Sequence, residues 1–281
     1  MLQERDIITS RQNPTVKRIC ALLEKKNRRT EGLFRFDGIK LFGEAVASGL
    51  KIRFLVLRSD VSGDITDRVN SAISQGHIDE SVITVVSEGV FEKLSDERSP
   101  EGVITVAELP RSKHRELGAD EICHYSIDKK ERILIAESLR DPGNLGTVIR
   151  SCEALGIDRL ILSDDCADLY NPKTVRAAMG GLFRLRIDVA PAEKMADVIA
   201  SLRKEGRRVY AAALGRDALE IGRIKLAVGD CFVIGNEGHG LCDSTVEACD
   251  ACAIIPMKEG SESLNAAAAA AICIWETVKS E

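Results

Sequence analysis

The chain has 281 residues, 44% hydrophobic and 30% charged, an ordinary soluble composition long enough for one large or two ordinary domains. Its longest apolar run near a terminus, Ala266 to Trp275, falls far short of the roughly 20 residues that span a bilayer, so no membrane partner is expected. The net charge of −5 argues against a uniformly basic nucleic-acid binder, yet residues 1–58 hold 13 Lys/Arg against 6 Asp/Glu while the remainder holds 26 against 38. That asymmetry suggests a polyanion-facing segment on an acidic body, or a solvated basic helix face. The opening MLQERDIITSRQ has charges without an apolar core behind them, and a cytoplasmic location is expected. Nine cysteines, an odd number scattered along the chain, fit reduced thiols better than a disulfide framework.

Asn13 as N-cap with Pro14 at the first helical position predicts a helix towards Arg29. Val16, Ile19, Cys20, Leu22 and Leu23 form its apolar stripe. Lys17, Arg18, Lys25, Lys26, Arg28 and Arg29 crowd the rest, and the last two also suit a helix C-terminus. Strands are then expected at 33–36, 52–57, 82–86 and 103–108, with helices at 38–47, 65–74 and 89–94. The alternation predicts a small α/β domain with a largely parallel or mixed sheet. It contains no phosphate-binding glycine loop and no metal spacing, so no chemistry is expected there. Residues 109–131 break the pattern with proline, charge and no sustained period, and read as a linker or extended surface connection. His114 and His124 within it lie apart from any Cys or carboxylate cluster.

From Arg132 the alternation resumes. Strands are expected at 133–136, 159–162, 185–189, 209–213, 231–234 and 252–255, and helices at 147–155, from Asn171-Pro172 to Met179, and at 192–204. This half has the rhythm of a second complete α/β domain. Four of its strand ends carry loops of unusual composition, and strand carboxyl ends are where open α/β sheets bind ligands. The loop after 133–136 leads to Asn144-x-Gly146-x-x-x-Arg150. The others are Leu214-Gly215, the run Gly235-Asn236-Glu237-Gly238-His239-Gly240, and Pro256 through Ser263-Leu264-Asn265. Six alanines, Ala266 to Ala271, follow as a strong helix signal small enough for close backbone approach.

Each feature has a plainer account. Asn144 could simply cap a helix, as could Ser263 or Asn265. The glycines could serve tight turns alone, and GNEGHG is not a dinucleotide fingerprint. His239, Cys242, Cys249 and Cys252 have the count of a zinc set, but Cys252 falls in an apolar strand and the intervening residues read as a capped helix. Free thiols are expected there and no metal.

Three blocks nevertheless match together. DPGNLGTVIRSCEALGI, FVIGNEGHGL and IIPMKEGSESLNAAAAAAI resemble, in order and spacing over residues 131–281, the three motifs of the SpoU (TrmH) family of RNA ribose 2′-O-methyltransferases in the SPOUT superfamily. Residues 1–108 are similar to that family's accessory substrate-binding domain, a small α/β module like some ribosomal proteins. The resemblance implies a SPOUT-type α/β domain over 132–281 with a deep trefoil knot within about 232–281. It implies S-adenosylmethionine as cofactor, held largely through backbone groups around Gly235, Ile255 and Leu264, with Leu214 and Gly215 lining the same pocket. It implies a homodimer acting on RNA, with ribosomal RNA favoured over transfer RNA because of the accessory domain, whose RNA contacts are expected at Arg11, Lys17, Arg18, Lys25, Arg28 and Arg29. A tRNA 2′-O-methyltransferase, or an inactive RNA-binding member of the fold, are the alternatives. Arg150 matches the family's catalytic arginine. A guanidinium with a pKa above about 12 makes a poor base, so an electrostatic role is expected. Asn144, Glu237, Ser263 and Asn265 match further motif positions and would orient Arg150 or the ribose.

Overall fold

The computed structural model describes residues 6–215, 217–236, 238–258 and 263–279. They divide into two compact units, residues 1–110 with 170–183, and residues 111–169 with 184–281.

In the first unit the expected N-terminal helix is two helices, α1 (Pro14–Ala21) and α2 (Lys25–Glu31). The start is as the sequence suggests, with Asn13 Oδ1 accepting the Thr15 N–H at 2.8 Å ahead of Pro14. The break follows from Arg28, whose Nη1 folds back to donate to Leu22 O (2.7 Å) and Leu23 O (2.6 Å). Those carbonyls, just past the end of α1, would otherwise lack a partner. Gly32, left-handed at φ +67, closes α2. Then come β1 (Leu33–Asp37), α3 (Ile39–Ala47), β2 (Ile52–Arg58), α4 (Gly63–Ser74), β3 (Ile83–Val86), α5 (Glu88–Leu94) and β4 (Val103–Glu108). The sheet order is β1-β4-β2-β3, antiparallel at both β4 pairings and parallel only between β2 and β3. Strand alternation sends Leu55 and Leu57 to the α3–α4 cluster and Val56 to the α1–α5 cluster. Both faces are therefore covered.

Phe34 and Phe36, two apart on β1, face the rings of Tyr170 (5.0 Å from Phe34) and Phe183 (6.0 and 5.2 Å). These contacts are the physical reason that residues 170–183, read from the sequence as part of the second half, pack with the first unit.

The second unit comprises β5 (His114–Glu116), α6 (Ala119–Ile122), β6 (Ile133–Ala136), α7 (Pro142–Leu155) and β7 (Arg159–Ser163). After the excursion carrying α8 (Pro172–Ala178) and most of α9 (Gly181–Arg184), it continues with β8 (Arg186–Ala190), α10 (Met195–Lys204), β9 (Val209–Ala212) and β10 (Leu219–Glu220). It ends with β11 (Cys231–Ile234), α11 (Asp243–Ala248), β12 (Ala251–Ile254) and α12 (Ala266–Lys279). The eight strands lie in the order β10-β12-β9-β11-β6-β7-β8-β5, every pairing parallel. All residues of β6 and β11 are buried, as expected of parallel strands covered on both faces.

The stretch read as a linker is built into this unit. β5 pairs with β8, and Leu117, Ile122, Tyr125 and Ile127 enter the core beside Ile133, Ile161 and Val198. Tyr125 Oη donates to Asp188 Oδ2 at 2.5 Å. A three-residue edge strand and four irregularly spaced apolar residues give no period to detect. On the opposite face α12 packs against α7 and β11. Because β9, β11, β12 and β6 run parallel as neighbours, the four loops singled out in the sequence leave the same edge of the sheet. Among the described residues no helix is long and apolar enough to cross a membrane.

Candidate functional site

The loop after β6 enters α7 earlier than the sequence suggests. Asp141 is the cap, its Oδ1 accepting the Asn144 N–H at 2.8 Å, and Pro142 takes the first helical position. Asn144 is thus inside the first turn, and its side chain is not needed as a cap. Its Oδ1 accepts a hydrogen bond from Asn265 Nδ2 at 3.0 Å, joining residues 121 apart in the chain. Asn265 does cap: its Oδ1 accepts the N–H groups of Ala267 (3.0 Å) and Ala268 (3.3 Å) at the start of α12. One amide side chain therefore both starts α12 and ties it to the start of α7. Ala266, Ala267 and Ala270 are buried, and small side chains there let α12 lie close to its neighbours.

Arg150, two turns further along α7, is exposed and makes no hydrogen bond or ion pair among the described residues. Ser263 and Leu264 precede α12 and are exposed. Glu237 and residues 259–262 lie outside the described residues.

After β11, Asn236 and Gly240 exchange backbone hydrogen bonds (3.1 and 2.9 Å), closing a tight loop. A β-carbon at Gly235 would sit 2.4 Å from Gly240 O, so only glycine fits. Gly240 has φ +69. Gly215, beyond β9, is similarly close: a β-carbon there would meet Cys252 Sγ at 3.1 Å. Leu214 is 86% exposed and Ile255 half-buried, while Met257 and Leu264 are also exposed apolar side chains of these strand-end loops.

The sequence does not single out Ser138, Ser163 or Asp165. Asn236 Nδ2 donates to Ser138 O (2.9 Å), connecting the β11 loop to the β6 loop. Ser138 in turn bonds Ser163 and Asp165 beyond β7. For Asn236 the signal was present, since it lies inside GNEGHG. For Ser138, a non-glycine residue at φ +56, nothing in the residue type announces the conformation.

Of the His239/Cys242/Cys249/Cys252 set, His239 and Cys242 are exposed while Cys249 and Cys252 are half-buried. Cys249 Sγ donates to Thr245 O (3.2 Å), and burial pushes its thiol up to about 12. The Glu137 carboxylate raises Cys242. Among the described residues no cluster of three or more His, Cys, Asp or Glu could hold a metal ion.

Of the cations expected to face RNA, Arg28 is the clear correction. It is buried, and its guanidinium serves the carbonyls beyond α1. Arg11 donates to Gly89 O (2.9 Å), and Arg18 pairs with Glu31 (2.6 Å) over the Phe54 ring. Lys17, Lys25 and Arg29 are exposed.

Residues 131–275 match the model of the SpoU rRNA Methylase family, more than half the chain, and span the four strand-end loops. The chain belongs to the SpoU rRNA methylase family. Residues 13–105 of this SpoU methylase also match the MRM3-like substrate binding domain, within the first unit. It is 28% identical over 268 residues to the 23S rRNA (guanosine(2553)-2′-O)-methyltransferase RlmP of Bacillus subtilis, covering 95% of this chain and 97% of that one. It is 28% identical to the 23S rRNA (uridine(2479)-2′-O)-methyltransferase of Streptomyces viridochromogenes, over 97% and 91%. Among solved structures, the AdoMet-bound rRNA methyltransferase of Sinorhizobium meliloti superposes with a TM-score of 0.79 at 29% identity, over 98% and 97% of the two chains.

Proposed function

We propose that this chain transfers a methyl group from S-adenosylmethionine to a ribose 2′-hydroxyl of ribosomal RNA. The observation that carries the reading is the Asn144–Asn265 hydrogen bond, which brings the first and third motifs together at the carboxyl edge of the parallel sheet, with Arg150 exposed further along α7. The names of the relatives supply the RNA class, 23S rRNA in both cases, and thereby favour ribosomal over transfer RNA.

The residues present fit the cofactor. Gly215 and Gly235 keep side chains off the backbone at two of these strand ends, where a β-carbon would crowd Cys252 and Gly240, and Leu214, Met257 and Leu264 offer apolar cover for a purine. With Ile255 these are the groups that would hold it. When bound, S-adenosylmethionine supplies an electrophilic methyl group. The chain's own residues do the rest. Arg150, always protonated, binds the nucleotide's phosphate and stabilises negative charge as it develops on the 2′-oxygen. Asn144 and Asn265, locked to each other, orient the ribose together with Ser263. Glu237 supports this set or accepts the proton.

Two finer readings go with this one. Residues from about 232 to 281 form a deep trefoil knot; in support, β12 lies beyond β9 while α12 returns across β11 to α7. The active enzyme is a homodimer; in support, Trp275 is 55% exposed on α12, an unusual place for a large aromatic unless a second copy covers it. The test is incubation with methyl-tritiated S-adenosylmethionine and, separately, 23S rRNA and tRNA lacking this modification. Label entering 23S rRNA is expected. Label entering tRNA alone would overturn the RNA class, and cofactor binding with label in neither would favour an RNA-binding protein without activity.

A further inference from the structure

Ser138 stands directly after β6 and Glu137, three residues before the cap of α7, with φ +56. A residue with a β-carbon holds that left-handed conformation only where its surroundings over-determine it. Here they do. The Ser138 N–H donates to Ser163 Oγ (2.8 Å), Ser163 Oγ donates to Asp165 Oδ1 (2.6 Å), and Ser138 Oγ donates to Asp165 Oδ2 (2.6 Å). The three residues form a closed ring in which every proton has one direction, because the carboxylate can only accept. Ser163 is buried, and Arg140 reaches Asp165 at 3.4 Å from outside. Burial opposes ionisation of Asp165, but the hydroxyls of Ser138 and Ser163 and the Arg140 guanidinium keep its carboxyl below the usual range. The adjoining turn is tied in the same way, with the Leu139 N–H on Cys166 Sγ (3.3 Å) and the Ala167 N–H on Leu139 O (2.8 Å).

The carbonyl of Ser138 faces the other neighbour. Asn236 Nδ2 donates to it at 2.9 Å, while Asn236 Oδ1 accepts the Gly238 N–H at 2.8 Å. Ser138 is thus a junction of three strand-end loops, those after β6, β7 and β11. The first leads to Asn144 and Arg150 and the third is the glycine loop Gly235–Gly240. We infer that Asp165 and Asn236 are positioning residues for methyl transfer: acting through Ser138, they hold the loop that carries Asn144 and Arg150 in register with the glycine loop. This rests on the reading of the site given above. A displacement of about 1 Å between two such groups can cost roughly 10²-fold in rate without touching either ligand's own contacts.

Four variants separate positioning from mere folding. Asp165→Ala and Ser138→Ala remove the ring. Ser138→Gly also removes the hydroxyl but tolerates φ +56, so it should retain more activity than Ser138→Ala. Asn236→Asp keeps the acceptor for Gly238, loses the donor to Ser138 and sets a carboxylate oxygen against that carbonyl. The assay is transfer to 23S rRNA, with kcat per mole of folded enzyme measured well below each variant's Tm. S-adenosylmethionine affinity is measured by calorimetry alongside. The expected result is a fall in kcat of about tenfold or more for Asp165→Ala, Ser138→Ala and Asn236→Asp, cofactor Kd within about threefold, and partial rescue in Ser138→Gly. Lowered Tm with kcat within about twofold of wild type would overturn the inference, as would equal activity of Ser138→Gly and Ser138→Ala. If Asp165→Ala does not fold, Ser138→Ala against Ser138→Gly decides the question for the ring and Asn236→Asp decides it for the glycine loop. Wild-type turnover is read in the same assay. Its absence overturns the methyltransferase reading and this inference with it, whereas wild-type turnover beside unaltered variants overturns this inference alone.

Discussion

In the first unit, one of the cations that look available from the sequence, Arg28, is buried and used inside the structure. Its guanidinium serves carbonyls past a helix end, whereas Arg35, 1% exposed on β1, is held by charge alone, 3.5 Å from Asp37 and 3.6 Å from Asp96. In the second unit the polar side chains that matter are short and sit at strand ends, where they bond one another across loops: Asn144 to Asn265, Asn236 to Ser138, Ser138 to Asp165. Counting charge points to the first unit as the place of contact. Counting strand ends points to the second as the place of chemistry. The difference teaches that a cation's number in a basic stretch says little until its burial is known, whereas an amide at a strand end keeps its meaning once its partner is found.

Removing the exposed Arg150 of the second unit should do most. Arg150→Ala is expected to lower transfer by about 10²–10³-fold, the scale for losing one charge-stabilising donor, with cofactor affinity unchanged by calorimetry. Arg150→Lys should not restore it, since an ammonium lacks the planar fork. Turnover near wild type in either variant would contradict the role.

Gly235→Ala attacks the same region through packing. The added carbon lands 2.4 Å from Gly240 O, so the loop must move. A loss of about 1–3 kcal/mol in stability is expected, with weakened cofactor binding, read by denaturant melts and calorimetry.

The first unit sharpens the contrast from the other side. Arg28→Ala should destabilise it by about 1–3 kcal/mol by leaving the Leu22 and Leu23 carbonyls unserved, while the salt dependence of RNA binding stays unchanged. Lys17→Ala or Lys25→Ala should do the reverse, leaving stability alone and each reducing the slope of log K against log salt by about 1. A reduced slope in Arg28→Ala would return that residue to the RNA-facing set.

The smallest effect concerns Asp37. Burial pushes its carboxyl up from 3.8 to about 6, against the pull of Arg35 and the Ser95 hydroxyl. A carboxyl raised on folding contributes stability that is full below its unfolded value and is lost as pH rises through its folded value. The Tm difference between Asp37→Asn and wild type should therefore rise from about pH 4 to about pH 7 and flatten outside that window. A constant difference would contradict the shift.

Much of this architecture was legible. Alternating apolar runs and caps such as Asn13-Pro14 located nearly every strand and helix, and the parallel sheet of the second unit follows from apolar runs without alternation at 133–136 and 231–234. Several features were not, among them the break between α1 and α2, the short helices α6 and α9, and the edge strand β10. β5 and the core residues around it carry no period, and the assignment of 170–183 depends on ring contacts between Tyr170, Phe183 and the β1 phenylalanines, which are distant in sequence. Among the proposed site residues, Asn144, Arg150, Gly235 and Asn265 could be singled out because their spacing forms motifs. Ser138 and Asp165 were not, because a serine at φ +56 and an aspartate accepting two hydroxyls resemble ordinary loop residues until their partners are placed.

The measurement closest to the central claim is alkaline hydrolysis of 23S rRNA methylated by this chain with tritiated S-adenosylmethionine. A ribose 2′-O-methyl group removes the hydroxyl that alkali uses to cleave the adjacent phosphodiester. The label is predicted to survive in an alkali-resistant dinucleotide, with Arg150→Ala yielding about a hundredth of it or less. Label recovered wholly in mononucleotides would place the methyl group on a base and contradict that claim.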